Sequence, residues 1–414
     1  MKTSLLDRYL AIRAQTKRIT APLTAEDQMI QSMEDTSPTK WHLAHTTWFF
    51  ETFALKTFLT GYQPLNDTYG YLFNSYYVQA GARFMRDRRG LISRPSVQEV
   101  WDYRNYVDEH MVKLLKQSPS QKLTDILEIG INHEQQHQEL MVTDIQHALF
   151  ANPLAPSYFD EPRPQSHPTP DMDWITFDEG IVHIGHTQPG FAYDNEGPSH
   201  RQYLENFALG NRPISNQEVL DFIGDGGYSN PLVWLSSGWA IRELEEWHHP
   251  LYWDHKGDEW TEFTLFGKGP VDPNAPATHL SYYEADAIAR WMGVRLPTEF
   301  EWEHAAGTSQ LGAGHFSDEF SFYPHFTDKS LDVPLIHMLG SSWEWTNSHY
   351  SPYPGYKPVD GALGEYNGKF MANQFVLRGG SCATPANHIR LTYRNFFPAH
   401  ARWQYATFRP AKRL

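Results

Sequence analysis

The stretch TDILEIGINHEQQHQELMVTDIQHALF (residues 124–150) has the apolar period of an amphipathic helix and carries two histidines one turn apart. Its apolar residues recur at spacings of three and four, which places them on one helix face. His133 and His137 project from the same side of that helix, so both imidazoles can bind one metal ion. The stretch therefore predicts a long helix that supplies two ligands of a metal site.

Three further segments in the first 150 residues have the same period. They are SLLDRYLAIRAQTKRI (4–19), KWHLAHTTWFFETFALKTFL (40–59) and SVQEVWDYRNYVDEHMVKLLKQ (96–117). Residues that can cap a helix start stand ahead of three of the four helices: Ser37 before Pro38, Ser96, and Thr124 with Asp125. Four helices, with a longer excursion over residues 61–95, predict a helical bundle for residues 1–150.

The composition of the chain changes after residue 150. Residues 151–173 are rich in proline and have no period, which predicts a semi-rigid linker. Beyond them, residues 174–414 contain short apolar runs, many glycines and clusters of aromatic residues. GIVHIG (180–185) and QFVLRGGS (374–381) are typical of strands. We therefore expect a loop-rich α+β domain over residues 174–414.

The overall composition excludes several classes of protein. A chain of 414 residues with 40% hydrophobic and 20% charged residues is typical of a globular protein of two domains. The net charge of −15 argues against nucleic acid and anionic membrane surfaces as partners, and no apolar run is long enough to span a bilayer. One cysteine and a start without a signal-peptide core lead us to expect a soluble, cytoplasmic protein; the oligomeric state stays open.

A third ligand for the metal has to come from another helix. The second helix offers His45, with His42 as a local competitor. A lone histidine among apolar residues is more often a hydrogen-bonded core residue, but a separate histidine pair favours a ligand role for His45. Because the segment also fits the zinc-protease pattern H-E-x-x-H, Glu134 is a candidate general base. No suitable third ligand follows His137, so we expect Glu134 to be a solvated helix residue.

The second half of the chain resembles the formylglycine-generating-enzyme fold, a relative of C-type lectins. The resemblance rests on NEGPSHRQYLENFALGNRPISNQEVLDFI (195–223), RLPTEFEWEHAA (295–306), SSWEWTNS (341–348) and, most specifically, GALGEYNGKFMANQFVLRGGSCATPANHIRLTYRNFF (361–397). Together with an N-terminal bundle carrying LAH (43–45) and H-x-x-x-H, nearly the whole chain resembles the ergothioneine-biosynthesis sulfoxide synthases. This implies an α+β protein with a DinB-like four-helix bundle followed by a loop-rich formylglycine-generating-enzyme-like domain.

The resemblance also implies a reaction. Members of this family are non-haem iron(II) enzymes that use O2 to join a thiol sulfur to the imidazole carbon of hercynine (Nα-trimethylhistidine) as a sulfoxide. Carried over to this sequence, the Fe(2+) ligands are His45, His133 and His137. Three neutral imidazoles leave positions open for further ligands, a set that suits Fe(II) as readily as zinc. The implied partners are the small molecules hercynine, cysteine and O2.

A pair of adjacent tyrosines matches the tyrosine pair of one branch of the family. NSYYVQAG (74–81) supplies Tyr76 and Tyr77. The resemblance implies that one of the two phenols delivers a proton or an electron during catalysis. Ordinary packing is the alternative role for such a pair.

The residues that hold hercynine are also implied by the resemblance. Gln136 lies on the same helix face as the ligands, and Asn395 aligns with a residue that holds the substrate bearing the trimethylammonium group. Aromatic residues attract quaternary ammonium groups through cation–π interactions. The candidates for this are Trp345, Phe396 and Phe397.

The expected sulfur donor is free cysteine. Synthases that take γ-glutamylcysteine carry an acidic residue where this chain has Phe397, and that acid can bind the γ-glutamyl ammonium group. Free cysteine needs a cation for its carboxylate. Arg86 is the leading candidate, with Arg89 and Arg402 as second choices.

Several other functions remain as alternatives. The same chemistry with γ-glutamylcysteine or a selenium donor is one, and a zinc hydrolase that uses Glu134 is another. A copper-dependent formylglycine-generating enzyme needs a pair of cysteines, whereas this chain has only Cys382. A ligand-binding scaffold would not need the three histidines, and the related ovothiol synthase carries a methyltransferase domain for which we expect this chain to be too short.

Overall fold

The computed structural model describes residues 4–117, 119–257, 259–307, 314–327, 333–358, 362–365 and 367–414. The chain divides into two compact units: Met1–Phe159 with Asp360–Tyr366, and Asp160–Val359 with Asn367–Leu414. In the described residues, no helix is both long and apolar enough to cross a membrane. The predicted α+β class is confirmed, because helices make up the first unit and a sheet-containing, loop-rich domain follows.

The first unit is a bundle of helices. Its α-helices are α1 (Leu5–Thr20), α2 (Thr39–Phe49), α3 (Lys56–Phe58), α4 (Tyr69–Leu72), α5 (Val97–Leu115) and α6 (Gln121–Phe150). A π-helical segment, Phe50–Leu55, joins α2 to α3, so the predicted second helix is one continuous helical run. The long helices α1, α2, α5 and α6 correspond to the four periodic stretches of the sequence.

Two of the predicted helix caps are wrong. Helix α6 begins at Gln121, and its N-cap is Ser120, whose hydroxyl accepts from the backbone N–H of Leu123. Ser37 does not cap α2, because the N-cap position is held by Pro38 and the Ser37 hydroxyl accepts from Arg89 Nη1 at 2.9 Å instead. The prediction for α5 is confirmed, since Ser96 forms a capping box with Glu99.

Helix α2 is buried along its whole length, from Thr39 to Phe49. It packs against both α5 and α6, and α1 packs against α6. A helix without a solvent-facing side has to pair its polar side chains inside the protein, because an unpaired buried polar group is costly. The position of α2 therefore directs its two histidines into internal contacts.

The second unit contains the strands and the remaining α-helices. The strands are β1 (Trp174–Phe177), β2 (Gly180–Ile184), β3 (His200–Leu204), β4 (Phe207–Gly210), β5 (Trp253–Lys256), β6 (Glu259–Thr264), β7 (Gly267–Pro270), β8 (Trp343–His349), β9 (Phe375–Arg378), β10 (Asn395–Phe397), β11 (Ala406–Thr407) and β12 (Ala411–Arg413). The helices are α7 (Asn216–Gly224), α8 (Ser236–Leu244), α9 (Tyr282–Trp291) and α10 (Glu299–Ala306). Both stretches predicted as strands contain one, β2 and β9.

The strands of this unit form several small sheets. Their orders are β1–β4–β12, β10–β9–β8–β11, β2–β3 and β5–β6–β7. In the four-stranded sheet, β9 is antiparallel to β8 and β10, and β11 is parallel to β8. Many buried residues of this unit lie in loops, where side chains have to replace the hydrogen bonds of a regular sheet.

Buried arginine–glutamate pairs tie these loops to the helices and strands. Arg409 Nη2 lies 2.8 Å from Glu344 Oε1, and Arg394 Nε lies 2.8 Å from Glu299 Oε2.

In the RGGS turn, Gly379 adopts a φ of +100°, and a Cβ there would lie 2.9 Å from the carbonyl oxygen of Met338. The turn therefore requires glycine for both its conformation and its close approach.

The close approach of α6 to the end of α2 also requires a glycine, which gives a prediction. A Cβ on Gly130 would lie 2.6 Å from Phe50 Cε1 and 2.9 Å from Phe49 Cε1, both in buried rings. We expect Gly130→Ala to lower the melting temperature, because overpacking costs about 1–3 kcal/mol and outweighs the roughly 1 kcal/mol gain in helix propensity.

The matched control for this substitution is Gly70→Ala. Gly70 also lies in a helix, α4, but a Cβ there would have no neighbour within 4 Å. Thermal unfolding followed by circular dichroism should show no loss of stability for the control. A Gly130→Ala protein as stable as the Gly70→Ala protein would contradict the tight packing described here.

Candidate metal centre

Helices α2 and α6 bring three histidines together. His45 lies on α2, and His133 and His137 lie one turn apart on α6. One ring nitrogen of each lies within 4.8 Å of the other two, and all three side chains are buried. Nε2 of His45 and Nε2 of His133 are 3.2 Å apart. The set that the sequence suggested is therefore gathered around one point.

The ring of His45 is fixed by a hydrogen bond at its edge and by two stacked indole rings. Nδ1 lies 2.5 Å from the carbonyl oxygen of Phe73, so Nδ1 carries the hydrogen and donates it. Trp41 stacks on the ring at 4.6 Å between centroids, with an interplanar angle of 11°, and Trp48 stacks at 5.5 Å and 16°. The Nε2 lone pair of His45 is left facing the other two histidines.

A chain of hydrogen bonds orients His137. Its Nδ1 lies 2.8 Å from Nδ1 of His42, and Nε2 of His42 lies 3.0 Å from Oδ2 of Asp144. A carboxylate only accepts, so His42 donates from Nε2 and accepts at Nδ1 from the Nδ1–H of His137. His42 is not a member of the gathered group of ligand atoms, which among the described residues consists of His45, His133 and His137, so it is not a competitor of His45. His137 then has its Nε2 lone pair available for a metal.

The electrostatics of the triad suit a metal ion. Burial lowers the pKa of His45 and His137 well below the ordinary value of a histidine, and it lowers the pKa of His133 to about 3. The three imidazoles are therefore neutral at physiological pH, as metal ligands must be. Three neutral imidazole rings gathered within reach of one ion fit a divalent transition metal.

The expectation that Glu134 is solvated is wrong. Its side chain is fully buried and lies between two guanidinium groups: Oε2 is 2.9 Å from Arg13 Nη1, and Oε1 accepts from Arg104. The hydroxyl of Thr16 donates to Oε1 at 2.6 Å. Burial alone would raise the pKa of Glu134, but Arg104 and Arg13 lower it to about 2. A carboxylate held in this way is a poor general base, which weakens the zinc-hydrolase alternative.

Tyr77 belongs to a series of ring contacts that leads to His45. Its ring is fully buried, 5.6 Å from the ring of Trp48 and 4.6 Å from that of Tyr76. Trp48 in turn stacks on His45. The sequence places Trp48 among the apolar neighbours of His45, and its position three residues later on a helix is a signal for a contact between the two rings.

The loop that carries the two tyrosines is held at both ends. The side chain of Asn74 accepts from the N–H of Tyr77 at 3.2 Å and donates to its carbonyl at 2.9 Å. The carboxylate of Glu365 accepts from the N–H groups of Val78 and Gln79 at 3.0 and 2.9 Å. A residue far along the sequence thus caps the first turn of the short 3₁₀-helix Val78–Ala80.

The two candidate arginines of the first unit differ in their surroundings. Arg86 is exposed, donates to the carbonyl of Asp35, and has its Nη1 3.7 Å from the Asp35 carboxylate. Arg89 is buried, with its guanidinium carbon 3.4 Å from the centroid of the Trp41 ring and its Nη1 2.9 Å from Oγ of Ser37. Arg89 therefore lies against the tryptophan that stacks on His45. Gln136 is half-buried on α6 next to His137.

The candidates on strand β10, in the second unit, lie among other aromatic residues. Asn395 accepts from the N–H of Phe396 at 2.9 Å. Phe396 stacks on Tyr350 at 4.1 Å, and Phe397 meets Trp403 edge to face at 5.7 Å. These contacts fix the rings within this unit.

Two further candidates of the second unit have structural partners of their own. Arg402 forms an ion pair of 3.1 Å with the buried Glu284 and lies 4.2 Å from the centroid of the Trp247 ring. Trp345 is fully buried, and its indole donates to the carbonyl of Leu280 at 2.9 Å, which makes it a core residue.

Comparison with known proteins identifies relatives of this chain. The sulfatase-modifying factor enzyme 1-like domain family matches residues 158–332 and 321–414. Hercynine oxygenase of Mycobacterium tuberculosis is 30% identical over 301 residues, 68% of this chain and 70% of that protein. Hercynine oxygenase of Mycolicibacterium smegmatis is 31% identical over 291 residues, 64% of this chain and 66% of that protein. Ergothioneine biosynthesis protein 1 of Schizosaccharomyces pombe is 24% identical over 76% of this chain and 42% of its own length.

The buried position of Glu134 predicts a structural effect of its substitution. We expect Glu134→Gln to destabilise the protein by about 3–5 kcal/mol at neutral pH, because it leaves Arg13 and Arg104 buried without their shared carboxylate. The folded pKa of about 2 lies below the ordinary 4.5, so this contribution is complete above pH 4.5 and is lost toward pH 2. Chemical denaturation at several pH values should show that the difference in free energy of unfolding between the variant and the wild type decreases as the pH falls from 4.5 toward 2.

A partly exposed ion pair on the same helix provides the control. Glu128 receives both Nη groups of Arg8, and Glu128→Gln should cost no more than about 1 kcal/mol. If Glu134→Gln is no more destabilising than this control, the buried cluster does not stabilise the bundle in the way described.

Proposed function

The chain belongs to the hercynine oxygenase family of ergothioneine-pathway oxygenases, and we propose that it joins the sulfur of L-cysteine to hercynine as a sulfoxide at an iron(II) centre. The observation that carries this proposal is the buried triad of His45, His133 and His137, with neutral rings and with hydrogen bonds that fix the lone pairs of His45 and His137. A purely structural use of the chain would not need three such rings gathered in its helical unit.

Iron(II) is the proposed metal. Bound by the three imidazoles, it would activate O2 and favour the thiolate form of the sulfur donor. Trp41 and Trp48 both stack on the ring of His45, and the carbonyl of Phe73 fixes its tautomer. These contacts pre-organise the ligand, so little ordering is needed when metal and substrates bind.

One of the two tyrosines is the proposed source of a proton. Tyr77 packs against Trp48, and its loop is held by Asn74 and Glu365. A phenol on a fixed loop can deliver the proton of its Oη without first having to be ordered. Tyr76 stacks on Tyr77 and is the alternative donor.

Hercynine and cysteine are proposed to be bound by polar and cationic side chains. Gln136, on the helix that carries two ligands, and Asn395 are proposed to hydrogen-bond hercynine, with Phe396 and Phe397 near its ammonium group. Arg86 is proposed to bind the cysteine carboxylate. Its exposed contact with Asp35 is worth less than about 1 kcal/mol, so the guanidinium can exchange this partner for a substrate. Arg89 and Arg402 remain the second choices.

The identity of the sulfur donor is a direct test of this function. Iron-loaded protein, incubated with hercynine, O2 and either thiol, should give hercynylcysteine sulfoxide from cysteine. We expect kcat/KM for γ-glutamylcysteine to be lower by about 30-fold or more, because an unpaired buried ammonium group costs at least about 2 kcal/mol. Mass spectrometry identifies the product, and His45→Ala is the inactive control.

Two outcomes would change the assignment. Comparable kcat/KM values for the two thiols would remove the argument from Phe397 and leave the donor class open. If the iron-loaded protein forms no product in which sulfur is joined to hercynine, and the zinc-loaded protein has hydrolytic activity, the hydrolase alternative is favoured.

The proton-donor role predicts a change in product distribution. Tyr77→Phe and Tyr76→Phe should slow the formation of the carbon–sulfur bond and let oxidation of the thiol compete with it. The quantities to compare are the rates of sulfoxide formation and of cysteine oxidation. Tyr106→Phe, which removes a phenol that donates to the carbonyl of Gln63, is the matched control. A Tyr76→Phe/Tyr77→Phe double variant with the parental rate and product ratio would make both tyrosines packing residues.

A further inference from the structure

We propose that His42 and Asp144 are positioning residues of the metal centre, which hold the ring of His137 in the orientation and tautomer that binding requires. This inference rests on the proposed metal centre and assigns two residues outside the triad. Neither residue is a fourth ligand. Among the described residues, the group whose ligand atoms all lie within 4.8 Å of one another consists of His45, His133 and His137.

The direction of the hydrogen bonds supports this role. Asp144 can only accept, so it receives the Nε2–H of His42, and His42 must then accept at Nδ1 from His137. If the order were reversed, His137 would present an N–H to the metal instead of a lone pair. The chain therefore selects one tautomer of His137 out of two.

Asp144 is itself held in place. Its Oδ2 also accepts the backbone N–H of Ser37 at 2.9 Å, and Ser37 Oγ accepts from Arg89 at 2.9 Å. Asp144 further lines a cavity of about 40 Å³, together with Asp27 and other residues of the same unit. The carboxylate is thus fixed by the segment that leads into α2, the helix that carries His42 and His45.

Both residues are buried, which makes their contacts strong and their loss specific. His42 and Asp144 are 2% and 6% exposed. In a buried site a hydrogen bond is stronger than in water, and a ligand ring without its outer partner can rotate or change tautomer. Loss of such a partner costs about 10–100-fold in metal affinity in other metal sites.

A role restricted to stabilising the fold is the competing explanation, because the chain also connects α2 to α6. The two roles differ in one respect. A structural contact affects the stability of the metal-free protein, whereas a positioning contact affects metal affinity beyond any change in that stability. Metal binding by the folded, metal-free protein therefore separates them.

The experiment measures metal binding to the whole 414-residue chain without any assay of catalysis. Metal-free wild type and the variants His42→Phe and Asp144→Leu are titrated anaerobically with Co²⁺ and Fe²⁺ in competition with a chelator. The visible absorption of bound Co²⁺ reports the ligand geometry, and thermal unfolding reports the stability of each metal-free protein. We expect the Kd to rise about 10–100-fold in both variants, with an altered Co²⁺ spectrum.

Conservative variants and a control on the same helix complete the design. Asp144→Asn keeps an oxygen acceptor for His42, and His42→Asn keeps an acceptor facing His137, so both should recover most of the lost affinity. His147→Phe removes a half-buried histidine of α6 whose Nδ1 lies 2.7 Å from Ser32 Oγ, and it should leave the Kd unchanged. The conservative variants decide the outcome if His42→Phe or Asp144→Leu does not fold.

The result that overturns the proposal is specific. If the folded His42→Phe and Asp144→Leu proteins bind metal within about threefold of the wild type, or no more weakly than His147→Phe, the pair has no positioning role. Conservative variants that bind as weakly as the disruptive ones would also contradict it. A wild-type protein that binds neither metal would instead overturn the metal centre itself.

Discussion

Helix α2 has no side that faces solvent, and this constraint organises the helical unit. Each polar side chain on the helix has to be paired inside the protein, because an unpaired buried donor or acceptor is costly. Lys40 donates to the carbonyl of Pro95 at 2.9 Å, Thr47 accepts from Arg13 at 3.0 Å, and His45 contacts the carbonyl of Phe73. The partners come from several segments of the chain, so the burial of one helix fixes the positions of its neighbours.

The charges beside the triad compensate one another. Arg13 and Arg104 share Glu134, and Arg13 also contacts Asp108, so the two cations face two carboxylates. Such a balanced cluster can lie within a low-dielectric interior because its members are paired. The H-E-x-x-H segment of α6 therefore has two roles. Its histidines lie in the candidate metal centre, and its glutamate pairs with Arg13 and Arg104.

Features that depend on the local apolar period and on specific motifs could be predicted from the sequence. Features that depend on contacts with residues distant in the sequence could not. The long helices, the histidine pair and the sheet-containing second domain follow from spacing and from quoted segments. The burial of Glu134 did not, because its partner Arg13 lies 121 residues away and the polar face of an amphipathic helix is normally exposed. His42 and His45 are the same residue type in the same helix, and only the packing against α6 distinguishes their roles. The predicted cap at Ser37 is wrong for the same reason: the partner of its hydroxyl, Arg89, lies 52 residues away.

The capping of Val78 and Gln79 by Glu365 has a consequence for the order in which the protein is made. The histidines of the triad and the helices that carry them leave the ribosome with the first 150 residues, whereas Glu365 follows more than 200 residues later. At roughly 5–20 residues per second, this is a delay on the order of 10–40 seconds. During that interval the nascent bundle contains its metal ligands but not the carboxylate that closes its tyrosine loop. A protein expressed from a gene fragment that ends at the proline-rich linker would lack the Glu365 carboxylate permanently.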